Sequence, residues 1–422
     1  VASGALSRYT QRLWSPAVRG GVGAAEGDAD MQEIKPGVYS VGAVDWDRRL
    51  FDELIPLPVG TSYNSYLIKG SSKTALLDTV DPAKTHVLVQ NLHDAGVTDI
   101  DYIIAHHGEQ DHSGSLPNML QLYPRAKVVT NLKCKSMLMD LLEMSEEKFV
   151  TVKDWEELSL GGKTLQFVYI PWVHWPETMG TYLKEDKILF PCDFFGSHVA
   201  SSKLFSDDDA VTMEGAKRYY AEIMMPFRGP IKNNLEKLKK LDIQMIASSH
   251  GPVYRNPRFI MDAYADWVSD SVKNQVVLPY VSMHESTRLM VEHFTDALAS
   301  RGVEVMQFNL VGVDVGRLAI SLVDAATVVI GSPTVLTGAH PAAAYAAFLA
   351  NALRPKTRFA SIIGSYGWGG RMVEQLTALM PQLKVEMIEP VIIKGLPKAD
   401  DYKLLDNLAD RTLAKHKEIG IV

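Results

Sequence analysis

Cysteine is nearly absent from this chain: Cys134 and Cys192 are the two among 422 residues. Two thiols cannot supply a four-cysteine iron–sulfur or rubredoxin-type centre. They could pair, but two separate buried thiols is the expectation for a cytosolic enzyme. Long apolar runs are also missing. No uninterrupted segment approaches the ~20 residues that span a bilayer, so no membrane role is expected. Nor is positive charge in excess. Lys and Arg number 43 against 50 Asp and Glu, a net charge of −7 with no basic stripe, which argues against a nucleic-acid partner. What is present is ordinary for a globular protein, 46% hydrophobic and 22% charged, with length for two or three domains that each bury a core.

Residues 1–30 stand apart. Up to Ala25 they carry Arg8, Arg12 and Arg19, several serines and no acid. That composition resembles an organellar transit segment, which would put the protein in an organelle matrix. A dispensable extension ahead of Met31, with a cytoplasmic protein, is the preferred expectation. From 31 to 273 short β-rich runs such as Val38–Val41, Ser65–Ile68 and Ala75–Asp78 come first. Helical patterns at Thr85–Ala95 and Leu116–Tyr123 then alternate with further strands, which predicts a two-sheet αββα layer architecture. From 274 to 422 strands and helices alternate regularly, which predicts a doubly wound parallel sheet. Its first strand, Val276–Val281, contains Pro279 and is expected near an edge or bulge.

One stretch dominates the first region. After the apolar run Tyr102-Ile103-Ile104-Ala105 come His107, Glu109, Asp111 and His112, four potential metal ligands within six residues. An extended backbone would project His107, Glu109 and Asp111 to one side. The adjacency of Asp111 and His112 suits two metal ions better than one. A solvated polar loop is the plain alternative. Three later residues occupy strand-to-loop positions as well: His174 after Ile170, Asp193 after Ile188-Leu189-Phe190, and His250 after Met245–Ser249. Such positions let side chains converge, and seven ligands fill two metals.

The pattern H-x-E-x-D-H, then 61 residues to His174, 18 to Asp193 and 56 to His250, resembles the flavodiiron proteins. Further matching stretches are Gly60–Leu67, His174-Trp175-Pro176 and Ser249-His250-Gly251-Pro252. The resemblance runs from Met31 to the C-terminus. It implies a metallo-β-lactamase-like domain followed by a flavodoxin-like domain. It also implies that His107, Glu109 and His174 hold one iron, that Asp111, His112 and His250 hold the other, and that Asp193 bridges them. Hydrolytic relatives of this fold usually carry histidine where Glu109 stands, which suits zinc. A carboxylate there adds hard oxygen and favours iron. His198 is either a partner of a ligand or a surface histidine.

A flavin phosphate needs amides and hydroxyls at a helix N-terminus after the first strand. Ser282-Met283-His284-Glu285-Ser286-Thr287 occupies that position, before a helix predicted from Arg288. A plain helix cap by Ser282 or Ser286 is the bland reading. Two residues depart from the family pattern: flavodoxins usually have glycine where Glu285 stands, and flavodiiron proteins often have an aromatic at His284. An acid there is costly unless it points to solvent. Two further loops are expected at strand C-terminal ends, Gly331-Ser332-Pro333-Thr334 and Gly364-Ser365-Tyr366-Gly367-Trp368-Gly369-Gly370. Their glycines allow close approach, and Tyr366 and Trp368 are suited to flank a flavin ring. In the family the matching loops hold FMN.

The resemblance thus implies an oxidoreductase that passes electrons from FMN to a diiron centre, reducing O2 to water, NO to N2O, or both. Because no rubredoxin or flavin reductase module follows, electrons are expected from a separate donor, a rubredoxin-like protein or a reduced deazaflavin. A head-to-tail homodimer, or a dimer of dimers, is expected to bring the two cofactors together. The rivals are a zinc hydrolase of the metallo-β-lactamase type with an appended flavodoxin-like module, and an electron carrier whose metal site has decayed.

Overall fold

A computed structural model describes residues 32–422. The expectations for residues 1–30 fall outside them. The first sheet runs in chain order through Gln32–Lys35, Val38–Ser40, Tyr66–Lys69, Thr74–Leu77, Tyr102–Ile104, Lys127–Thr130 and Phe149–Thr151. It is antiparallel up to Thr74–Leu77 and parallel beyond. The second comprises Glu157–Ser159, Thr164–Tyr169, Met179–Leu183, Ile188–Phe190 and Met245–Ile246, again in chain order. Alternation along the strands sorts their side chains to two faces. Ile188 and Phe190 turn inward to meet Leu77, Ile104 and Val129 of the first sheet. Leu189 turns outward, against Tyr219, Leu235 and Tyr264 of the covering helices. The outer face of the first sheet (Leu76, Ile103, Val128) packs on Leu88, Leu92, Leu116 and Leu138. The result is the expected αββα sandwich.

The third sheet is parallel, ordered Glu304–Asn309, Lys273–Tyr280, Ala325–Val335, Phe359–Tyr366, then the two pieces Glu386–Met387 and Val391–Lys394. Counting the last two as one broken strand gives 2-1-3-4-5, the doubly wound flavodoxin-like order. One face packs on the helices Ser286–Ala299 and Ala399–Glu418 through Phe294, Leu298, Leu405 and Leu408. Val277, Val328, Ile330 and Ile362 on the other face join the same hydrophobic core as the outer layer of the second sheet. The two halves therefore share apolar interior.

A polar clasp lies on that junction. The helix Ala210–Tyr219 continues into a wider π-turn, Tyr220–Met224. Arg218 donates from Nη1 and Nη2 to both oxygens of Asp314, at 2.9 and 2.8 Å. Asp314 in turn caps the helix Val315–Leu322 by accepting from Gly316 N. A Cβ on Gly316 would lie 1.8 Å from Arg218 Nη1 and 2.2 Å from Glu222 Oε1, so a larger residue there would displace the head groups of the clasp.

Three local expectations need correction. Pro279 is the penultimate residue of an inner strand with neighbours on both sides, not of an edge strand, and the strand's register irregularity lies nearer its start, between Lys273 and Val276. It is tolerated where the ladder is about to end. Gly331–Thr334 and Gly364–Tyr366 are strand, not loop, because neighbouring strands and the Thr334–Ala339 pairing satisfy their backbones. The metal-ligand stretch is not extended throughout. His112 N and Ser113 N both donate to Glu109 O, winding Gln110–Ser113 into one helical turn.

Candidate metal centre and cofactor cradle

All seven predicted ligands meet at one end of the sandwich. His107 and Glu109 leave the end of Tyr102–Ile104, and the helical turn carries Asp111 and His112. The second sheet supplies His174, Asp193 and His250 from the ends of its strands. Glu109 Oε2 lies 3.2 Å from His107 Nε2 and 3.0 Å from His174 Nε2. Asp111 is 3.3 Å from His112 Nε2 and 3.2 Å from His250 Nε2. Asp193 divides its oxygens between the groups. Oδ2 faces His107 and His174 at 3.6 and 3.7 Å, and Oδ1 faces His112 and His250 at 3.0 and 3.4 Å.

Glu109 is hydrogen-bonded to His107 and His174, but the shared centre of the site is not paired in this way. Both oxygens of Asp111 and of Asp193, and His112 Nε2, are buried without a hydrogen-bond partner. Carboxylates stripped of water in this way call for cations. Burial alone would lower the His107 pKa, but Glu109 and Glu177 push it up to about 10. Asp111 and Asp193 do the same for His112 and His250, against burial, each to about 10. Burial opposes ionisation of Glu109, yet His107 and His174 hold it well below the usual carboxylate range. The pocket is thus built for positive charge, and metal ions would displace the protons that otherwise supply it. Two sets of mixed nitrogen and oxygen donors sharing a carboxylate fit two irons.

Partners behind the ligands fix which nitrogen faces inward. His107 Nδ1 donates to Glu177 Oε1 at 2.8 Å, and Gly108 N donates to the same oxygen at 3.0 Å. His250 Nδ1 donates to Ser62 O at 2.7 Å. Cys192 Sγ lies 4.0 Å from His112 Nδ1, and both cysteines are free and buried. His106 donates its Nδ1 proton to Asp78 at 2.7 Å, anchoring the stretch from beneath. Glu177 was missed in the sequence. It stands in the His174–Met179 stretch, where an acid beside apolar residues was the one available signal. His198 is buried, not on the surface, with Nδ1 2.8 Å from Thr61 Oγ1. Burial, followed by His250, holds its pKa well below the ordinary value.

Over this end lies the hairpin of Leu50–Phe51 and Ile55–Pro56, whose tip residues Asp52 and Glu53 both have positive φ. Phe51 packs 5.0 Å from the His198 ring and 6.4 Å from that of His250. Burial, then Glu109 and Asp111, raise the Asp52 pKa. Glu109 and His174 are the partly exposed members of the seven and mark the mouth.

The three predicted flavin segments leave adjacent C-terminal strand ends: Val281 N donates to Gly331 O, and Pro333 pairs with Ser365. Thr287 and Ser365 place their hydroxyls 3.2 Å apart. The helix begins at Ser286, two residues earlier than predicted, and Ser282 Oγ accepts from Arg288 N at 3.2 Å. Met283, His284 and Glu285 are exposed. Glu285 has φ +69°, a conformation that normally favours glycine, and its carboxylate turns outward to the Arg288 guanidinium. Its charge is thereby neutralised locally. Ser332 Oγ accepts from His340 N at 3.0 Å. Gly369 and Gly370 adopt φ of +124° and +151°, and a Cβ on Gly370 would strike Thr334 Cγ2 at 2.5 Å, so the two later segments are in contact. Tyr366 is half-buried and Trp368 exposed. Hydroxyls at a helix N-terminus, glycine-lined backbone and a free aromatic face suit a flavin phosphate and ring.

Comparison with known proteins agrees with this geometry. The family model described as ODP family beta lactamase matches residues 61–251. The chain is 34% identical to the nitric oxide reductase of Moorella thermoacetica, over 90% of this chain and 98% of that one. Among solved structures it is similar to rubredoxin oxygen:oxidoreductase from Desulfovibrio gigas, with TM-score 0.88, 29% identity and coverage of 92% and 99%. It is also similar to the flavodiiron protein from Giardia intestinalis, with TM-score 0.85, 28% identity and coverage of 92% and 98%.

Proposed function

The chain belongs to the flavodiiron protein family, and from that premise we propose an oxidoreductase that reduces O2 to water, NO to N2O, or both. In this reading His107, Glu109 and His174 hold one iron, Asp111, His112 and His250 the other, and Asp193 is shared. The flavin binds over Ser282–Thr287, Ser332–Thr334 and Ser365–Gly370. When bound, FMN delivers electrons singly and the iron pair binds and polarises the diatomic substrate. The observation that carries the reading is Asp193, whose two oxygens face two separate ligand sets.

The chain's own residues do the positioning. Glu177 and the Ser62 carbonyl keep His107 and His250 in the tautomer that presents Nε2. Phe51 and the buried rings behind it keep bulk water from the closed side, while the opening at Glu109 and His174 admits a small molecule. The electron donor is a separate partner, a rubredoxin-like protein or a reduced deazaflavin.

A head-to-tail homodimer, alone or in a dimer of dimers, completes the reading. Support comes from large apolar side chains exposed near both sites. Trp46 and Leu54 lie on the segment that carries Phe51, Leu336 lies two residues past Ser332–Thr334, and Trp368 lies within Ser365–Gly370. A two-fold contact that sets the metal end of one subunit on the flavin end of the other would cover both patches.

The test quantifies iron and FMN on purified protein, then measures anaerobic NO consumption beside O2 uptake with a strong donor. Two irons and one FMN per chain with turnover of either oxidant are expected. Two zinc ions, no iron, and hydrolysis of a thioester or lactam would overturn the proposal. Iron-replete, FMN-loaded protein that consumes neither gas would leave only an electron carrier.

A further inference from the structure

The two ligand sets are alike in chemistry and unlike in access. With Asp193 shared, each offers two imidazoles and two carboxylates: His107, His174 and Glu109 on one side, His112, His250 and Asp111 on the other. Donor type and number therefore give neither position the firmer hold. Exposure separates them. The side chains of His174 and Glu109 are 15% and 14% exposed, against 4% for Asp111 and 2% for both His112 and His250. The surroundings differ in the same sense. Around His250 stand the rings of Phe51, Tyr63, Tyr219 and His198, with centroids at 6.4, 6.1, 5.7 and 4.8 Å. Ser197 N donates to His250 O, and the next amide, Gly251 N, donates to Ser62 Oγ. Thr79 donates to His112 O from both N and Oγ1, at 2.7 and 2.6 Å. His174 stands instead on the connection 170–178, close to the half-exposed Trp172, and its ring meets those of His107 and Trp175. A bound ion leaves by stepwise replacement of its ligands, which needs a ligand free to swing aside and room for the incoming group. Glu109 and His174 border solvent and meet both needs. Asp111, His112 and His250 meet neither until the enclosing rings open, and such local opening costs free energy.

We propose that the two metal positions exchange at different rates: the ion held by His107, Glu109 and His174 is the labile one, lost and replaced through the Glu109–His174 edge, while the ion held by Asp111, His112 and His250 stays seated with Asp193. The inference rests on the diiron reading of the seven ligands and goes beyond it, since that reading treats the two positions alike. It implies a stable one-metal form, whose ion keeps two imidazoles and two carboxylates at the enclosed position. It also implies that a competing divalent ion such as zinc enters on the Glu109 side, giving a mixed-metal chain of one defined arrangement.

The test uses the FMN-loaded full chain, reconstituted anaerobically with ferrous iron. A ferrous chelator is added in excess, and iron release is followed by the absorption of the chelate. Two phases of one iron each are expected, the first about tenfold or more faster than the second. Both irons leaving in a single phase overturns the proposal. After the first phase zinc is supplied, and anomalous diffraction at the iron and zinc edges locates each metal in the crystal. Zinc beside His174 and iron beside His250 are expected. The reverse placement, or both metals mixed over both positions, overturns the proposal. In solution, His174→Ala should bind one iron and release it at the slow rate of the parent, and His250→Ala should bind one and release it at least as fast as the fast phase. Fast release from His174→Ala overturns the assignment. Should either variant fail to fold, the placement of zinc in the parent decides. A parent that takes up no second metal, or zinc and no iron, overturns the diiron reading itself, whereas two irons released together overturn this inference alone.

Discussion

Glu109 places one carboxylate oxygen 3.2 Å from His107 and 3.0 Å from His174, so the first ligand set contains a hard anionic donor where a third nitrogen would suit zinc. Glu109→His should therefore raise zinc occupancy over iron and abolish O2 and NO turnover, as metal analysis beside gas uptake will show. Retained iron with unchanged turnover would mean that this carboxylate is not what selects the metal. Glu177 acts one step further out, by holding His107 Nδ1. Glu177→Gln is expected to lower iron affinity or turnover about 10–100-fold with little loss of folded protein, read by iron titration and circular dichroism. The seven candidate ligands were legible because four stand in a tight local pattern and the other three at later strand ends. Glu177 and Ser62 were not, since a group that only orients another side chain obeys no spacing rule. The sequence also could not place His198 inside, because burial depends on Phe51 and Tyr219 arriving from distant segments.

Elements follow the same division. The uniformly apolar run Ile188–Phe190 is a strand buried on both faces, as such a run suggests. The segments Gly331–Thr334 and Gly364–Tyr366 read as loops by composition but are strands by virtue of partners that no local window reveals. The π-turn Tyr220–Met224 gave no signal at all, yet it has Tyr219 beside His250 at its start and carries Glu222 to the Gly316 helix end. Burial, against the pull of Arg218, pushes the Glu222 pKa up to about 8. A carboxyl raised above its unfolded value contributes stability that is complete below the unfolded pKa and is lost as pH rises through the folded one. The protein should thus lose stability between about pH 4.5 and pH 8 through this group. Glu222→Gln should melt like the parent at pH 5 and several degrees higher at pH 8.5, by thermal unfolding at the two pH values. Equal melting at both would show that Glu222 ionises freely at the junction.

For the whole molecule, the shared core beneath the third sheet makes the two halves one body rather than beads on a linker. Their relative placement is then fixed, and in the proposed head-to-tail dimer electron delivery between subunits would depend on association. Dilution below the dimer dissociation constant should cut turnover with an external donor several-fold or more while bound iron and FMN stay constant, measured by gas uptake against sedimentation. Full turnover by a monomer would exclude the head-to-tail arrangement. The site also has a mechanical side. His107 to His112 hang from one sheet, and His174, Asp193 and His250 from the other. Metals seated there would be cross-links, closing loops that run from 65 residues between Glu109 and His174 to 139 between Asp111 and His250, between layers that otherwise meet through apolar contact and single hydrogen bonds. In a chain whose two thiols stay unpaired, that linkage fastens the sandwich as disulfides fasten secreted domains. Losing the ions would then loosen the architecture as well as end the chemistry.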